Sequence, residues 1–277
     1  MSETSYRRRV RLSRRGWLFL LLLLALLVAA GVALFLALRE EAGAPARTLV
    51  VPEGWRASQV YAAVDKRLDL PPGTTKAAAA SADLKLPVEA KGNPEGYLYP
   101  ATYPITEDTT PGGLLAHMVD TANQRFGQDR ITASARRGGL TVYQAVTIAG
   151  IVQAEADTAA DMGKVSRVIH NRLARGMPLQ MDSTLNYALN RSTLTTTADD
   201  TRTDSPYNTY EHKGLPPTPI GNPGQQAVNA ALGPTPGNWL YFVTVAPGDT
   251  RFADSYAQHR LNVREFNKHQ KKAARAD

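Results

Sequence analysis

An uninterrupted apolar run over residues 17–38, WLFLLLLLALLVAAGVALFLAL, constrains this chain more than any other feature of its sequence. A helix that rises about 1.5 Å per residue needs about 20 such residues to span a hydrocarbon layer of about 30 Å. A cleaved signal peptide is the alternative, but its apolar region is shorter, about 7–15 residues, and a small-residue cleavage site follows it. The length of the run therefore predicts a single transmembrane helix.

The charges that flank the run predict its orientation. Residues 1–15 hold six arginines against one acid, Glu3, so only +2 of the net charge of +7 belongs to the rest of the chain. Basic flanks stay on the cytoplasmic side of a membrane. We therefore predict a cytoplasmic basic tail at residues 1–16, a linker at 39–46, and an extracytoplasmic remainder, in a single-pass protein of the cell membrane.

The same sequence excludes several classes of protein. A nucleic-acid-binding surface would place its lysines and arginines along the folded domain rather than in a tail. The chain has no cysteine, which excludes disulfides and thiolate sites. Its histidines lack HExxH or similar metal spacing, and the glycine pairs at 112 and 138 lack the lysine of a phosphate-binding loop. We expect no nucleic acid, no metal and no cofactor.

The first extracytoplasmic unit is predicted at residues 47–110. RTLVVPEG predicts a strand, and ASQVYAAVDKRLDL predicts a helix with Ser58 as its cap. Residues 74–84 predict a second short helix, and GYLYPATYPI an aromatic strand. This order is the outline of a small LysM-like wall-binding βααβ lobe, although a generic α+β lobe would share it.

Residues 111–270 predict a larger mixed α+β lobe, with a solvated tail at 271–277. Thr141 and Gln144 form a capping box at the start of LTVYQAVTIAGIVQAEA, a helix that is apolar nearly all round. The next helix, DMGKVSRVIHNRLARG, has an apolar face and places its basic residues, including Arg172, on the outside.

Two further segments of this lobe have clear patterns. GLPPTPIGNPG, residues 214–224, holds four prolines and three glycines and predicts a rigid loop. WLYFV predicts a core strand that pairs with residues 251–253 across a turn at 247–249. The chain as a whole is therefore predicted to be an α+β protein behind one membrane helix.

Glu155 is the only acid in the first nine residues of the apolar stretch IAGIVQAEAD. At about 100° per residue, Ile148, Ile151 and Val152 share its side of the helix, whereas Gln153 faces the opposite way. Burial and the negative end of the helix dipole would both raise the pKa of its carboxyl group. Glu155 is therefore the candidate general acid for glycosidic cleavage, and the alternative is a solvated acid beyond the last buried turn.

Two polar clusters follow within about 70 residues of Glu155, and this clustering is what suggests a site. Their amides, hydroxyls and tyrosine rings suit a sugar, which presents hydroxyls and flat apolar faces. His259 is a weaker candidate, because a lone histidine more often has a packing role. The candidate substrate-binding residues are Gln180, Asp182, Ser183, Thr184, Tyr207, Asn208, Thr209 and Tyr210.

Six blocks in order resemble the signature blocks of the endolytic murein transglycosylases, the MltG or YceG-like family. They are IAGIVQAEA, VSRVIHNRLARGMPLQMDST, SPYNTY, GLPPTPIGNPG, WLYFV and FADSYAQH. The resemblance covers residues 47–270, and the anchor and the LysM-like lobe match the family's layout. It implies cleavage of peptidoglycan between N-acetylmuramic acid and N-acetylglucosamine without water, which leaves 1,6-anhydromuramic ends. One glutamate suffices there, because the muramic C6 hydroxyl is the nucleophile.

The resemblance also implies partners: glycan strands of peptidoglycan, the cytoplasmic membrane, and the cell-wall synthases called penicillin-binding proteins, beside which nascent strands are terminated. Many relatives carry an acid at both positions of an E-x-E block, whereas this chain has Gln153 at the first. We assign catalysis to Glu155, the acid that is retained. Two alternatives remain, a wall-binding scaffold that has lost catalysis and a muramidase that uses water.

Overall fold

The computed structural model describes residues 14–41, 47–193 and 196–273. The chain divides into two compact units, residues 1–47 and residues 48–277. Helix α1, Arg14–Glu41, contains the apolar run predicted to be helical. Within the described ranges, no helix combines the length and hydropathy that crossing a membrane requires. The transmembrane segment and the membrane localisation stay predictions from the sequence, and residues 1–13 and 42–46 lie outside the described residues.

The rest of the chain has mixed α+β architecture, as predicted, with helices around two small sheets. Strand β1 pairs with β2, and β3 pairs with β4 in an antiparallel hairpin that is irregular between Thr244 and Ala246. Short 3-10 helices lie at Val88–Ala90 and Asp200–Arg202. The strands and helices are β1 Arg47–Val50, α2 Ala57–Arg67, α3 Thr74–Ser81, β2 Thr102–Ile105, α4 Pro111–Phe126, α5 Asp129–Arg137, α6 Val142–Glu155, α7 Ala159–Ala174, α8 Asp182–Ala188, α9 Gln225–Leu232, β3 Tyr241–Ala246, β4 Asp249–Ala253 and α10 Tyr256–Ala273.

The strand, helix, helix, strand order predicted for residues 47–110 is present as β1, α2, α3 and β2. The predicted cap of α2 is wrong: the backbone N–H of Arg56 donates to Gln59 Oε1 at 2.9 Å, so Ser58 lies inside the first turn. Only the last four residues of GYLYPATYPI form a strand, because a turn closes from Tyr97 N–H to Pro94 O at 2.9 Å. The LysM-like identity and the lobe boundary at residue 110 stay predictions.

Helix α6 lies at the centre of the core and carries Glu155 as its last residue. Its predicted capping box is confirmed, since Thr141 Oγ1 accepts from Gln144 N–H at 3.1 Å and Gln144 Oε1 accepts from Thr141 N–H at 2.9 Å. Nine of its 14 residues are buried, and it packs against α5, α7, α8 and α9. A helix enclosed on so many sides holds its last turn in a fixed position.

The prediction that Arg172 lies on the outer face of α7 is wrong, because this residue is only 6% exposed. Its guanidinium donates to Leu240 O at 2.6 Å and to Leu179 O at 2.7 Å, and it lies 5.2 Å from the Tyr241 ring centre. Hydrogen bonds offset the cost of burying such a charge. Arg172 therefore ties α7 to β3 and to the segment that leads into α8.

The loop at residues 214–224 forms neither helix nor strand, as predicted, and is buried over most of its second half. It packs directly on backbone: a side chain at Gly221 would come within 2.8 Å of Gly54 O, and one at Gly150 within 3.3 Å of Gly221 O. Only glycine permits backbones to approach this closely. The loop is thereby fixed between α6 and residues 54–55.

Asn222 provides the hydrogen bonds of this contact and is fully buried. Its backbone O accepts from Gly54 N–H at 2.7 Å, and its backbone N–H and its side-chain Nδ2 both donate to Trp55 O at 2.8 Å. Its Oδ1 accepts from Leu98 N–H at 2.8 Å. One residue thus joins the loop to two segments of the βααβ unit.

The C-terminal segments are close to the prediction. Strand β3 begins at Tyr241, after Trp239 and Leu240, and the turn to β4 lies at residues 247–248. Helix α10 packs on this hairpin. It continues to Ala273, so residues 271–273 of the predicted tail are helical, and residues 274–277 lie outside the described residues.

Replacing Asn222 by alanine should destabilise the fold by about 2–4 kcal/mol, because it removes two side-chain hydrogen bonds and leaves the buried Leu98 N–H without an acceptor. Urea unfolding of the purified protein measures the change. The matched control is Asn229→Ala at an exposed position on α9, which should cost less than about 1 kcal/mol. Equal losses in the two variants would contradict the role of Asn222.

Candidate active site

Glu155 lies where the end of α6 meets the start of α8. Its side chain is partly buried, and Oε1 accepts a hydrogen bond from the backbone N–H of Ser183 at 3.1 Å. Ser183 belongs to the first turn of α8, where backbone N–H groups have no partner inside the helix. The carboxyl group therefore takes up a donor that the helix leaves free, and this contact fixes its position.

Burial raises the pKa of Glu155 above the usual value for a glutamate, and the nearby Asp182 carboxylate raises it further. Ser183 acts in the opposite direction and lowers it. The Ser183 hydroxyl is buried and makes no hydrogen bond of standard geometry. Its effect on the pKa of Glu155 therefore comes from its closeness to the carboxyl group, and the backbone N–H of Ser183 makes the hydrogen bond. The net effect favours the protonated acid that the sequence predicted.

Asp182 and Tyr210 form a pair beside Glu155. The Tyr210 hydroxyl donates to Asp182 Oδ1 at 2.5 Å. Burial is the main reason why the pKa of Tyr210 is raised, followed by the hydrogen bond to Asp182 and by the charges of Asp182 and Glu155, and Arg172 lowers it. Glu155 is therefore not the isolated acid expected from the sequence, because a second carboxylate lies within its electrostatic reach.

The structure brings the two predicted polar clusters together through Thr209. Thr209 O accepts from Gln180 N–H at 2.9 Å, and its Oγ1 accepts from Met181 N–H at 3.0 Å. Thr209 Oγ1 also lies 2.8 Å from Thr184 Oγ1, and both side chains are buried. The threonine pair therefore holds the segment before α8 against the segment that carries Tyr210.

The other predicted residues have different surroundings. Asn208 is fully buried, and its Nδ2 donates to Thr201 O and Thr203 O at 3.0 and 2.8 Å. The Tyr207 hydroxyl lies 2.8 Å from Thr218 Oγ1, and its ring packs on Tyr187 with centres 4.8 Å apart. Asn208 therefore holds a turn, and Tyr207 contacts residues outside the Glu155 cluster.

Gln180 is exposed beside the site in a left-handed conformation, with φ of 51°. Its Oε1 accepts a hydrogen bond from Arg172 Nη1 at 3.2 Å. Arg172 thus binds the exposed amide, and its charge also acts on Tyr210. Sequence reasoning does not identify this arginine as a site residue, and the only available signal is that Arg172 and Gln180 lie in the same block, VSRVIHNRLARGMPLQMDST.

His259, a weaker candidate from the sequence, stacks on Tyr241 with ring centres 5.1 Å apart. Burial lowers its pKa, and the nearby charge of Arg172 lowers it further, so the imidazole is neutral at neutral pH. Its Nδ1 is buried without a hydrogen-bond partner among the described residues. His259 thus packs behind Arg172 and Tyr241.

Gln153 serves a different element from Glu155. Its Oε1 accepts a hydrogen bond from the backbone N–H of Gly224, which precedes α9, at 3.0 Å. Glu155 instead contacts Ser183 on α8. The two side chains of the Q-x-E block therefore have separate partners, in agreement with their predicted opposite orientation, and the amide at position 153 ties α6 to the loop at residues 214–224.

The raised pKa of Glu155 predicts a stability difference that depends on pH. A carboxyl group whose pKa is higher in the folded state binds more protons in that state. The free energy of unfolding therefore falls as the pH rises from the pKa in the unfolded chain, about 4.3, through the pKa in the folded protein. Glutamine cannot ionise. The stability of Glu155→Gln relative to the wild type should therefore be greater at about pH 8 than at about pH 4.

Denaturant unfolding at both pH values measures this difference. Glu107→Gln, at an exposed position, is the matched control and should give nearly the same change at both pH values. A pH-independent difference for Glu155→Gln would show that the folded protein does not disfavour the carboxylate.

Comparison with known proteins places the chain in a family. Residues 30–265 match the model of the YceG-like family. The chain is 35% identical over 166 residues to the endolytic murein transglycosylase of Bacillus subtilis (strain 168). The aligned region covers 60% of this chain and 46% of the relative. It is 36% identical over 189 residues to the endolytic murein transglycosylase of Streptococcus pneumoniae (serotype 2, strain D39). The aligned region covers 65% of this chain and 34% of the relative.

The matched region thus spans less than half the length of these relatives. The crystal structure of a yceG-like protein from Listeria monocytogenes is similar with a TM-score of 0.69 and 29% sequence identity, over 80% of this chain and 77% of that chain. The family match includes Glu155 and the segments around it. This chain belongs to the YceG-like family.

Proposed function

We propose that this protein is a lytic transglycosylase of peptidoglycan. It cleaves the bond between N-acetylmuramic acid and N-acetylglucosamine without water and leaves a 1,6-anhydromuramic end. The observation that carries the proposal is Glu155, a carboxyl of raised pKa held by Ser183 N–H beside Asp182 and Tyr210. The curated relatives, which are named endolytic murein transglycosylases, support the same reaction.

The reaction needs one group that first gives a proton and then takes one. Protonated Glu155 donates its proton to the glycosidic oxygen as the bond from that oxygen to the muramic C1 breaks. The Glu155 carboxylate then accepts the proton of the muramic C6 hydroxyl while the C6 oxygen bonds to C1. The acid is thereby restored, and no water is consumed.

Asp182 is suited to stabilise the positive charge that develops at C1 between these two steps. Tyr210 fixes its carboxylate by a hydrogen bond, so the negative charge is in place before the reaction begins. In this role Asp182 acts by its charge, while Glu155 moves the protons. Ser183 positions Glu155 through its backbone N–H.

The predicted substrate-binding residues divide into two groups under this proposal. Asp182, Ser183 and Tyr210 lie close to Glu155. Together with the exposed Gln180, they contact the sugars. Thr184, Asn208 and Thr209 are buried with protein partners and hold the segments that carry the first group. Tyr207 supports α8 from the side of Tyr187.

A water-using muramidase is the second candidate, and the closeness of Asp182 to Glu155 is the observation that favours it. A glycoside hydrolase usually uses two carboxyl groups in catalysis. The two reactions differ in their products, because hydrolysis leaves reducing muramic ends. The non-catalytic scaffold is less favoured, since Gln153 has a structural partner and its amide does not remove the acid beside Ser183.

Glu155→Gln should abolish the release of anhydromuramic products from purified peptidoglycan, because the amide cannot donate and accept the proton. Mass spectrometry of the glycan products measures the release. Asp157→Asn, an exposed acid two residues later, is the matched control and should retain activity within about twofold. Full activity of Glu155→Gln would overturn the mechanism, and reducing ends from the wild type would establish the hydrolase.

Gln153→Ala should keep the same products while lowering the free energy of unfolding by about 1–2 kcal/mol, because the Gly224 N–H loses its acceptor. Product analysis and urea unfolding give the two measurements. Gln226→Ala, at an exposed position on α9, is the control and should change neither. A loss of product in a folded Gln153→Ala variant would place catalytic importance at the first position of the Q-x-E block.

Membrane attachment through residues 17–38 is also part of the proposal, and the sequence supports it. It would hold the enzyme beside the cell-wall synthases, where cleavage terminates nascent strands. Replacing both Leu24 and Leu27 by arginine should release the protein from the membrane fraction of cells, because each charged side chain in an apolar span costs about 3 kcal/mol of insertion free energy. Valine at both positions should leave it there. A protein that stays with the membrane in both variants would contradict anchoring by this segment.

A further inference from the structure

A cleft of about 480 Å³ lies between α2, α3 and the end of α8, and the proposed mechanism does not use it. Its wall combines two cations, an acid, two amides and two tyrosine rings. The residues on which the argument depends are Arg56, Tyr61, Lys76, Asn93, Glu95 and Tyr187. Such a mixture can bind a ligand that carries both negative charge and apolar parts.

Glu95, the only acid on this wall, is committed to the protein itself. It is 3% exposed, its Oε1 accepts from the backbone N–H of Ala57 at 2.9 Å, and its Oε2 accepts from the Tyr187 hydroxyl at 3.0 Å. Burial raises its pKa to about 7, against the opposing effects of these two bonds and of the Arg56 charge. Glu95 therefore neutralises the two cations only in part and offers no free oxygen to a ligand.

The two cations differ in how they are held. The Arg56 guanidinium lies 5.3 Å from the centre of the Tyr187 ring and donates through Nη2 to Arg191 O at 2.8 Å, which leaves other N–H groups available. Lys76 is exposed and forms no ion pair with a described residue. The cleft therefore carries a positive charge in excess, beside tyrosine rings that can pack against apolar groups.

Helix α8 connects this cleft to the acid at Glu155. Ser183, which binds Glu155, is in its first turn, and Tyr187, which binds Glu95, is in its last. Four residues of helix separate them by about 6 Å along the axis. The acid and the cleft therefore lie at the two ends of the same short helix.

We propose that this cleft binds the peptide stem that N-acetylmuramic acid carries, with Lys76 and Arg56 paired to its carboxylates. Such a stem is a short peptide joined to the sugar through an amide, and it has free carboxylates and small apolar side chains. The inference rests on the proposed function, because it requires a glycan strand at Glu155. It predicts that the protein distinguishes strands with stems from strands without them.

Binding of two substrates to the full chain in detergent, carrying Glu155→Gln to prevent cleavage, tests this proposal. The probes are glycan strands that keep their uncrosslinked stems and strands from which an amidase has removed the stems. Stem-bearing strands should bind at least about tenfold more tightly. Adding Lys76→Glu should weaken their binding about tenfold while changing stem-free binding by less than about twofold.

Lys66→Glu is the matched control, because Lys66 is an exposed lysine on the neighbouring helix α2 and does not line the cleft. It makes the same change of charge and should affect neither probe. Equal binding of the two probes, or equal weakening of both by Lys76→Glu, would overturn the stem site.

The outcomes separate this inference from the proposed reaction. Anhydromuramic products from the wild type together with stem-independent binding would reject the cleft and keep the transglycosylase. Stem-dependent binding that responds to Lys76→Glu, without any product from the wild type, would keep the cleft and reject the reaction. If neither probe binds and the wild type gives no product, both proposals are rejected.

Discussion

The hydrogen bonds of Asn222 are the contact on which the arrangement of the site depends. This buried residue joins the proline-rich loop to Trp55 and Leu98, and two residues later Gly224 donates to Gln153 on α6. A loop rich in proline and glycine has no repeating backbone ladder, so side-chain and inter-segment bonds must satisfy its polar groups. Through these bonds the loop holds the βααβ unit against the helix that ends in Glu155.

The charged groups around Glu155 have hydrogen-bond partners within the protein. Asp182 and Tyr210 lie on one side, and Arg172 is held by the carbonyls of Leu179 and Leu240 behind them. A carboxyl in such surroundings is easier to protonate, while a neighbouring fixed carboxylate is ready to face a developing positive charge. Gln153 ties α6 to the start of α9 and to the loop, so the proposed function needs only the acid at Glu155 from this block.

Much of the fold could be predicted from local pattern. The capping box and apolar surface of α6, the irregular loop and the β3–β4 hairpin have sequence signals that do not depend on distant residues. The cap of α2 was mispredicted because Arg56 and Gln59 replaced the expected serine cap. The burial of Arg172 is not predicted because helical periodicity favours an exposed arginine. Its burial becomes favourable only through carbonyls outside its helix, that of the nearby Leu179 and that of the distant Leu240.

The sequence by itself determined the apolar run, the helix that carries Glu155, and the residue types of the two polar clusters, because periodicity and composition act locally. Tertiary structure alone decided that Thr209 joins those clusters, that Asp182 lies beside Glu155, and that Glu95 is buried against Tyr187. The physical reason is that hydrogen bonds and charge interactions act over a few ångströms. Residues more than 20 positions apart in the chain come within that distance only after the core has packed.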